Sequence, residues 1–322
     1  LAAIIYKEIA SHKEKALTAV HETPRGKVQS QDNSPYLPEH NEDNKAGEVI
    51  EEKEDSGGNT QEEVNSPPKS TVQRPEVDKN LDQDDKTIDA LKEELVKLTA
   101  SYKGTWSVYV KNLGSGESLL INNKAMKAAS LIKLYIMASV YDEINKGSIE
   151  KTPRVDELLK AMITVSSNSA ANDLVKLLGG SLEEGMKHLN SYNASSGYIN
   201  SSMNRGLAMT STLENYTSVF ECGLLLEHIY NGRLVSSSAS AEMLNLLKNQ
   251  TRLSKIPQGV PTGIVTANKT GELSDTENDA AIIYGEKCHY IICVMVNDIS
   301  DTAKARGEIR SASSYVYNYF NR

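Results

Sequence analysis

Large apolar side chains are unevenly spread along this chain, and their distribution limits which part of it can fold. Between Val20 and Asp85 such side chains are few, Tyr36 is the single aromatic residue, and six of the nine prolines of the sequence fall there. A segment of this kind cannot bury enough apolar surface to offset its conformational entropy, and its acidic runs repel one another. We therefore expect residues 20–85 to form a disordered, acidic, proline-containing linker and residues 86–322 to form one globular domain.

The first residues, Leu1–Tyr6, form an apolar run that ends at Lys7 and is too short to span a bilayer. Two interpretations are open for residues 1–19. The run is either the remnant of a membrane or signal segment, which makes the linker a tether, or the first turn of a short amphipathic helix. The first interpretation predicts an extracytoplasmic domain that is tethered to the outer face of the cytoplasmic membrane or secreted.

Charge and cysteine content argue against several classes of protein. The formal net charge is -8, and no basic patch is present that could neutralise a phosphate backbone, so we expect no nucleic-acid partner. Three cysteines form an odd set without the spacing of a zinc site, and the six histidines are scattered. We expect no metal and no cofactor, and we expect Cys222, Cys288 and Cys293 to be free thiols that pack as small apolar residues.

Hydrophobic periodicity divides residues 86–322 into a series of elements. Residues 87–102 have the spacing of an amphipathic helix, and two β-rich runs around a glycine turn predict a hairpin within 105–121. A helix that is apolar on nearly every side is predicted next, at Leu131–Ile144. The remaining helices are predicted at Asp156–Ile163, Ala170–Leu178, Leu182–Leu189, Tyr216–Tyr230, Ala239–Leu247 and Thr302–Phe320, and the remaining strands at Ile264–Lys269, Ala280–Tyr284 and Tyr290–Val296.

This order of elements predicts an α+β fold. An antiparallel sheet of about five strands is expected to be covered by the helices at the two ends of the domain. The helices between the two groups of strands are expected to form an inserted, all-helical subdomain. A cleft should lie where the sheet and this subdomain meet.

Ser130-Leu131-Ile132-Lys133 places a hydroxyl and an amine one helical turn apart on the same face. The same spacing occurs at Ser66 with Lys69 and at Ser148 with Lys151, but only the copy at Ser130 opens a buried helix. Burial there can lower the pKa of the lysine enough to make it a base for the serine oxygen. The alternative is structural: Ser130 as a helix cap and Lys133 as a lysine whose amine reaches solvent.

Two further short motifs lie later in the chain. Ser166-Ser167-Asn168 supplies a hydroxyl and an amide on a loop before a helix, although a serine there could equally act as a helix cap. Lys269-Thr270-Gly271 ends a predicted strand, where a cation and a hydroxyl could project into a cleft and the glycine would let a substrate backbone come close.

In this order and context, the three motifs resemble those of the penicillin-recognising serine enzymes, and most closely the class A β-lactamases. The resemblance covers about Lys86 to Arg322 and identifies this region as a β-lactamase-like catalytic domain. The flanking sequences are similar as well: Met162–Val165, Ala170–Asn172, Tyr230–Leu234 and Lys269–Leu273.

The resemblance implies a role for each motif residue. Ser130 attacks a carbonyl and forms an acyl-enzyme, Lys133 takes or relays its proton, and Ser166 passes a proton to the leaving nitrogen. Asn168 holds the side-chain amide of the substrate, while Lys269 and Thr270, beside Gly271, bind its carboxylate. The oxyanion is expected between the backbone N–H groups of Ser130 and Glu272.

The sequence departs from the family in one loop. Class A β-lactamases carry a glutamate between the Ser-x-Asn motif and the next helix, where it activates the water that releases the acyl group. From Gly185 through Leu213 this chain has no acidic residue. Ser202 stands near the expected position, with Asn204 just beyond, and the nearest acid, Glu214, is expected to cap the next helix.

These observations predict a serine hydrolase that is acylated by β-lactams and releases them slowly. Its partner would be a small-molecule β-lactam or a peptidoglycan stem peptide, and a monomer is expected. The alternatives are a D,D-peptidase-type cell-wall enzyme and a β-lactam-sensing or binding domain without turnover. An esterase that acts on small esters is a third, weaker alternative.

Overall fold

The computed structural model describes residues 87–322. The predicted terminal segment 1–19, the predicted linker 20–85 and the predicted start of the domain at 86 lie outside the described residues and stay predictions. Among the described residues, no helix is both long enough and apolar enough to cross a membrane.

The strands of the domain form one large and one small antiparallel sheet. Within the described residues they are β1 (Thr105–Asn112), β2 (Ser118–Ile121), β3 (Met126–Lys127), β4 (Tyr216–Thr217), β5 (Val265–Leu273), β6 (Thr276–Tyr284) and β7 (His289–Asn297). The large sheet has the order β2-β1-β7-β6-β5, and β3 pairs with β4 in the small one. Trp106 in β1 lies opposite Val296 in β7, and Lys269 in β5 lies opposite Ala280 in β6.

Helices cover both faces of the large sheet. They are α1 (Ile88–Ala100), α2 (Ile132–Asn145), α3 (Pro153–Thr164), α4 (Asn168–Gly179), α5 (Leu182–Ser195), α6 (Val219–Tyr230), α7 (Ser237–Lys248) and α8 (Thr302–Asn321), with short 3-10 helices at Ala129–Leu131 and Ile256–Gly259. Helices α1 and α8 pack on one face, and α2 to α7 form a helical block on the other. The predicted α+β architecture, with a sheet of five strands and an inserted helical subdomain, is confirmed.

Burial on both faces explains why the sequence of strand β7 is a continuous apolar run. Ile292 and Val294 pack in the apolar layer beneath α1 and α8, whereas Ile291 and Cys293 pack in the layer shared with the helical block. Side chains alternate between the two faces of a strand, and both faces of β7 are covered. Because β7 lies third of five strands, it joins the two halves of the domain core.

Helix α2 is the central helix of the helical block. Eleven of its fourteen residues are buried, and three of these, Lys133, Ser139 and Glu143, are polar or charged. Burial of a charged group without partners is costly, so a lysine at this position requires polar groups around its amine. Those groups are supplied by the neighbouring motifs.

Several predicted elements have different bounds in the structure. Helix α5, predicted at Leu182–Leu189, continues to Ser195. The helix predicted from Tyr216 begins only at Val219, because Ser218 caps it, while Tyr216 pairs with Lys127 in the small sheet. The last strands are longer than predicted, since β5 and β6 meet in a hairpin that buries Lys269, Glu277, Asn278 and Asp279. These polar side chains break the apolar pattern on which the prediction relied.

The three cysteines are free. Cys222 and Cys293 are buried and Cys288 is half-buried. Cys293 lies in the apolar layer of the helical block, whereas Cys288 packs against the layer beneath α1 and α8, so the two lie on opposite sides of the sheet.

Candidate active site

Ser130 lies in the 3-10 helix that leads into α2, and it is half-buried. The residue before it, Ala129, has a φ of +48°, which is uncommon for a residue with a Cβ atom and must be held by its surroundings. The buried side chain of Asn278 donates hydrogen bonds to the carbonyl oxygens of Lys127 (2.9 Å) and Ala128 (3.2 Å). The sheet therefore fixes the backbone that presents the serine.

Lys133 lies one turn after Ser130, and its side chain is fully buried. Its Nζ lies 3.0 Å from Ser130 Oγ and 3.1 Å from Ser166 Oγ, and it donates to Asn168 Oδ1 (2.7 Å) and to the Ser166 carbonyl oxygen (2.7 Å). Burial lowers the pKa of Lys133 to about 7, with a smaller contribution from the positive charge of Arg252. At neutral pH a large fraction of this amine is unprotonated and can accept the proton of Ser130.

Ser166 occupies the turn between α3 and α4 in a left-handed conformation, with a φ of +61°. The next residue, Ser167, caps α4 by accepting a hydrogen bond from the Ala170 amide (3.2 Å), and Asn168 is the first residue of the helix. The predicted arrangement of a loop before a helix is thus present. It directs the Ser166 hydroxyl toward Lys133 and leaves the capping role to Ser167.

Lys269 approaches the same hydroxyl from the strand side. Its Nζ donates to Ser166 Oγ (2.9 Å) and to the Thr270 carbonyl oxygen (2.8 Å). Burial holds the pKa of Lys269 well below its usual value, and the nearby charge of Lys133 makes a smaller contribution in the same direction. Two ammonium groups that share one hydroxyl repel each other, so protonation of one lysine disfavours protonation of the other.

Gly271 brings strand β5 against the 3-10 helix of Ser130. A Cβ atom added to Gly271 would lie 2.8 Å from the Ala128 carbonyl oxygen and 3.2 Å from the Ser130 amide nitrogen. Thr270, which is buried, lies opposite Asp279 in β6. The backbone of Gly271 and Glu272 therefore runs beside the Ser130 amide, where the predicted oxyanion donors would stand.

The prediction for Glu214 is wrong. Ser218 caps helix α6, and Glu214 lies outside it and pairs with Arg205 (2.9 Å from Nη2 to Oε2). An arginine nine residues earlier in the same loop satisfies the carboxylate, which a sequence pattern does not reveal. Ser202 exchanges backbone hydrogen bonds with Tyr216, and its hydroxyl oxygen accepts a hydrogen bond from Asn204 Nδ2 (3.1 Å).

Another loop residue is fixed close to the Ser166 motif. The side chain of Asn172, one turn after Asn168 in α4, accepts a hydrogen bond from the Leu207 amide (2.9 Å) and donates one to the Leu207 carbonyl oxygen (3.0 Å). Leu207 is buried. The residue that the loop brings against this helix is thus apolar.

Two residues at the site were not predicted. Asn278 supports the turn of Ser130, and Arg252, at the edge of the site, pairs with Glu272 (3.2 Å) and lowers the pKa of Lys133 through its charge. Neither belongs to a short motif, because each acts through contacts between distant segments. The sequence offers one signal, at Asn278, a polar residue that lies within β6 and two positions before the predicted strand Ala280–Tyr284.

Comparisons with known proteins identify the family and the fold of this chain. A family model described as "Beta-lactamase enzyme family" matches residues 90–156 and 148–320. The chain is similar in structure to PBP-A, with a TM-score of 0.66 and 24% identity over 72% of this chain and 96% of that one. It is also similar to the TLA-1 extended-spectrum β-lactamase, with a TM-score of 0.66 and 21% identity over 73% of this chain and 99% of that one. A β-lactamase from Sphaerobacter thermophilus has a TM-score of 0.63 and 22% identity over 71% of this chain and 95% of that one. A search of curated proteins finds no match.

The pKa of Lys133 predicts how the reactivity of Ser130 depends on pH. An uncharged phosphonylating reagent should label Ser130 slowly below pH 6, because a protonated amine cannot accept the hydroxyl proton. The rate should rise through a midpoint near the pKa of about 7 and level off above about pH 8. Rates of labelling measured by mass spectrometry test this. A midpoint above pH 9, or no pH dependence, would contradict the proposed base.

Gly271→Ala should separate strand β5 from the Ser130 turn, because the new methyl group would meet a backbone oxygen that cannot move aside. We expect labelling of Ser130 to slow by about 100-fold and the free energy of unfolding to fall by about 1–3 kcal/mol. Gly114→Ala is the control, since its nearest neighbour would be a side-chain oxygen at 3.4 Å. Equal labelling rates for the two variants would show that close approach at Gly271 is unnecessary.

Proposed function

Because the chain belongs to the beta-lactamase enzyme family, we propose that residues 87–322 act as a serine hydrolase that β-lactams acylate at Ser130. The observation that carries the proposal is the buried Lys133 amine, which lies 3.0 Å from Ser130 Oγ and 3.1 Å from Ser166 Oγ. A hydroxyl beside an unprotonated amine is an activated nucleophile. A second hydroxyl on the same amine provides a route for the proton to leave.

Acylation follows from these contacts. Ser130 Oγ attacks the β-lactam carbonyl carbon as its proton moves to Lys133 Nζ, and the carbonyl oxygen gains negative charge between the amides of Ser130 and Glu272. The carbon–nitrogen bond then breaks. Ser166 Oγ donates its proton to the leaving nitrogen and recovers a proton from Lys133, so that the amine returns to its unprotonated form. The products are an ester on Ser130 and the opened ring.

Substrate binding is assigned to groups around this proton path. The ammonium of Lys269 and the hydroxyl of Thr270 would hold the substrate carboxylate on the strand side. Asn168 would bind the side-chain amide on the helix side, where its Oδ1 already accepts from Lys133 (2.7 Å). A carboxylate at Lys269 would also favour the protonated form of that lysine, which leaves Lys133 as the base.

Release of the acyl group is proposed to be slow. Glu214, the acid nearest to the acid-free stretch of the loop, pairs with Arg205, and the loop residue held against α4 is Leu207. A positioned general base contributes about 10²–10⁴ in rate, so its absence would leave a long-lived ester. This supports a slow β-lactamase.

A D,D-peptidase-type cell-wall enzyme is the second candidate. PBP-A has similar structure, and its leucine-to-glutamate variant was solved as an acyl-enzyme complex with penicillin G. In PBP-A an added glutamate and a penicillin ester thus occur in one structure. Whether a glutamate speeds release of the ester is a question that the acid-free loop of this chain raises as well. Both candidates act on the cell wall or on inhibitors of its synthesis, so an extracytoplasmic location, tethered or secreted, is part of the proposal. The monomeric state stays a prediction.

Incubation with penicillin G should add one molecule of penicillin to the domain, on Ser130. The adduct should persist, because acylation is supported and release is not. Intact-mass measurements against time, with Ser130→Ala as the control, test this. Rapid turnover without an adduct would refute slow release, and neither adduct nor turnover would refute the proposed enzyme. Hydrolysis of an acyl-D-Ala-D-Ala peptide would favour the second candidate.

Leu207→Glu should speed release of the ester by at least about tenfold, because it places a carboxylate on the loop residue that Asn172 holds against α4. Leu207→Gln is the matched control, since it has nearly the same shape and carries no base. Single-turnover decay of the adduct gives the rate. If the two variants decay equally fast, Leu207 does not face the ester.

A further inference from the structure

Lys255 is a fully buried lysine that lies on the α8 face of the sheet, outside the three motifs. Its ammonium has three N–H donors, and three acceptors surround it. They are Glu277 Oε2 (2.7 Å), Glu272 Oε1 (3.2 Å) and the carbonyl oxygen of Gly271 (3.4 Å). All three acceptors belong to the hairpin of β5 and β6, directly behind the site.

The contact with Gly271 connects this lysine to the reaction. The Gly271 carbonyl and the Glu272 N–H belong to the same peptide unit, and Gly271 lies beside the Ser130 amide. A cation that binds the oxygen of a peptide unit makes its N–H a stronger donor, because hydrogen bonds in a chain polarise one another. The effect is larger in a buried site than in water.

We infer that Lys255 is a positioning residue for the oxyanion site: its ammonium orients and polarises the Gly271–Glu272 peptide, whose N–H receives the negative charge of the acylation transition state. The inference rests on the proposed function. It assigns to Lys255 a role in the rate of acylation and none in the binding of the substrate carboxylate, which lies with Lys269 and Thr270.

Pairing with Glu272 and Glu277 does not by itself account for Lys255. Glu277 is already paired with a second cation, since Arg306 Nη2 lies 2.7 Å from its Oε1. Glu272 likewise has Arg252 at 3.2 Å. Without Lys255 both carboxylates would keep a cationic partner. The Gly271 carbonyl would not, because among the described residues Lys255 is the cationic side chain that contacts it.

Asp279 is a third carboxylate close to the same cluster. Its carboxylate accepts from Asn268 Nδ2 and from the Ile256 amide, both at 3.0 Å. Burial raises the pKa of Asp279 to about 6, while the charge of Lys255 opposes that rise. When Asp279 is ionised, three carboxylates (Glu272, Glu277 and Asp279) face three cations (Lys255, Arg252 and Arg306), so Lys255 also offsets the charge of Asp279. Its hydrogen bond to the Gly271 carbonyl is formed in addition to that role.

The test compares Lys255→Met with Arg306→Met. Both variants remove one cation from Glu277, but Arg306 is partly exposed and has no described contact with Gly271. Lys255→Met should slow acylation of Ser130 by penicillin G about tenfold. This is less than the rate loss of about 10²–10³ that follows removal of an oxyanion donor, because the N–H stays in place. Arg306→Met should stay within about twofold of the unchanged protein.

A spectroscopic measurement separates polarisation from loss of structure. The carbonyl stretch of the ester in the acyl-enzyme moves to lower frequency as its hydrogen bonds strengthen. In Lys255→Met it should move to higher frequency, and in Arg306→Met it should not change. Equal rates and equal frequencies in the two variants would overturn the inference and leave Lys255 as a buried ion-pair partner alone.

A second variant covers the case in which Lys255→Met does not fold. Lys255→Met with Glu277→Met removes both members of the buried pair, which is often tolerated better than the loss of one. It should show the same slower acylation and the same frequency change, and a normal rate would overturn the inference. If the unchanged protein forms no adduct, the proposed function fails first. The ¹³C shift of the Gly271 carbonyl then still tests the contact, since Lys255→Met should move it and Arg306→Met should not.

Discussion

The contact between the buried amine of Lys133 and the hydroxyl of Ser130, 3.0 Å long, is the interaction on which the account depends. A lysine in water is protonated at neutral pH and cannot take a proton from serine. Burial in the helical block changes that, because desolvation destabilises the charged form and lowers the pKa to about 7. The same hydrophobic packing that stabilises α2 thus lowers the pKa of the candidate base.

The sheet supplies what the helical block cannot. Lys269 and Gly271 come from strand β5, and the carbonyls before Ser130 are held by Asn278 of β6. Because β5 and β6 are paired along their whole length, β5 cannot shift without breaking its hydrogen bonds to β6. Lys255, on the far side of this hairpin, connects the terminal-helix face to the same peptide. The active site therefore depends on both layers of the core.

Much of the fold could be predicted because its signal is local. The apolar run of β7 and the all-round burial of α2 follow from periodicity, and the α+β architecture that they predict is confirmed. The ends of β5 and β6 could not be predicted, since their buried polar residues resemble those of a loop. The small sheet of Met126–Lys127 and Tyr216–Thr217 is too short to leave a pattern.

The site residues were selected by the order of three motifs along the chain, and the structure places Ser130, Lys133, Ser166, Asn168 and Lys269 in contact. Their chemical roles stay predictions. The environment of the loop could not be read from the sequence, because the partner of Glu214 is an arginine that only the folded loop brings near. Arg252, Asn278 and Lys255 were missed for the same reason: their effects arise from tertiary contacts.

The most direct test is an NMR titration of Lys133 itself, in protein with ¹³C-labelled lysine and with Lys133→Arg to assign the signal. We expect the ε-carbon of Lys133 to titrate near pH 7, several pH units below exposed lysines of the same chain. A titration near pH 10 would contradict it, because a permanently protonated amine could not activate Ser130.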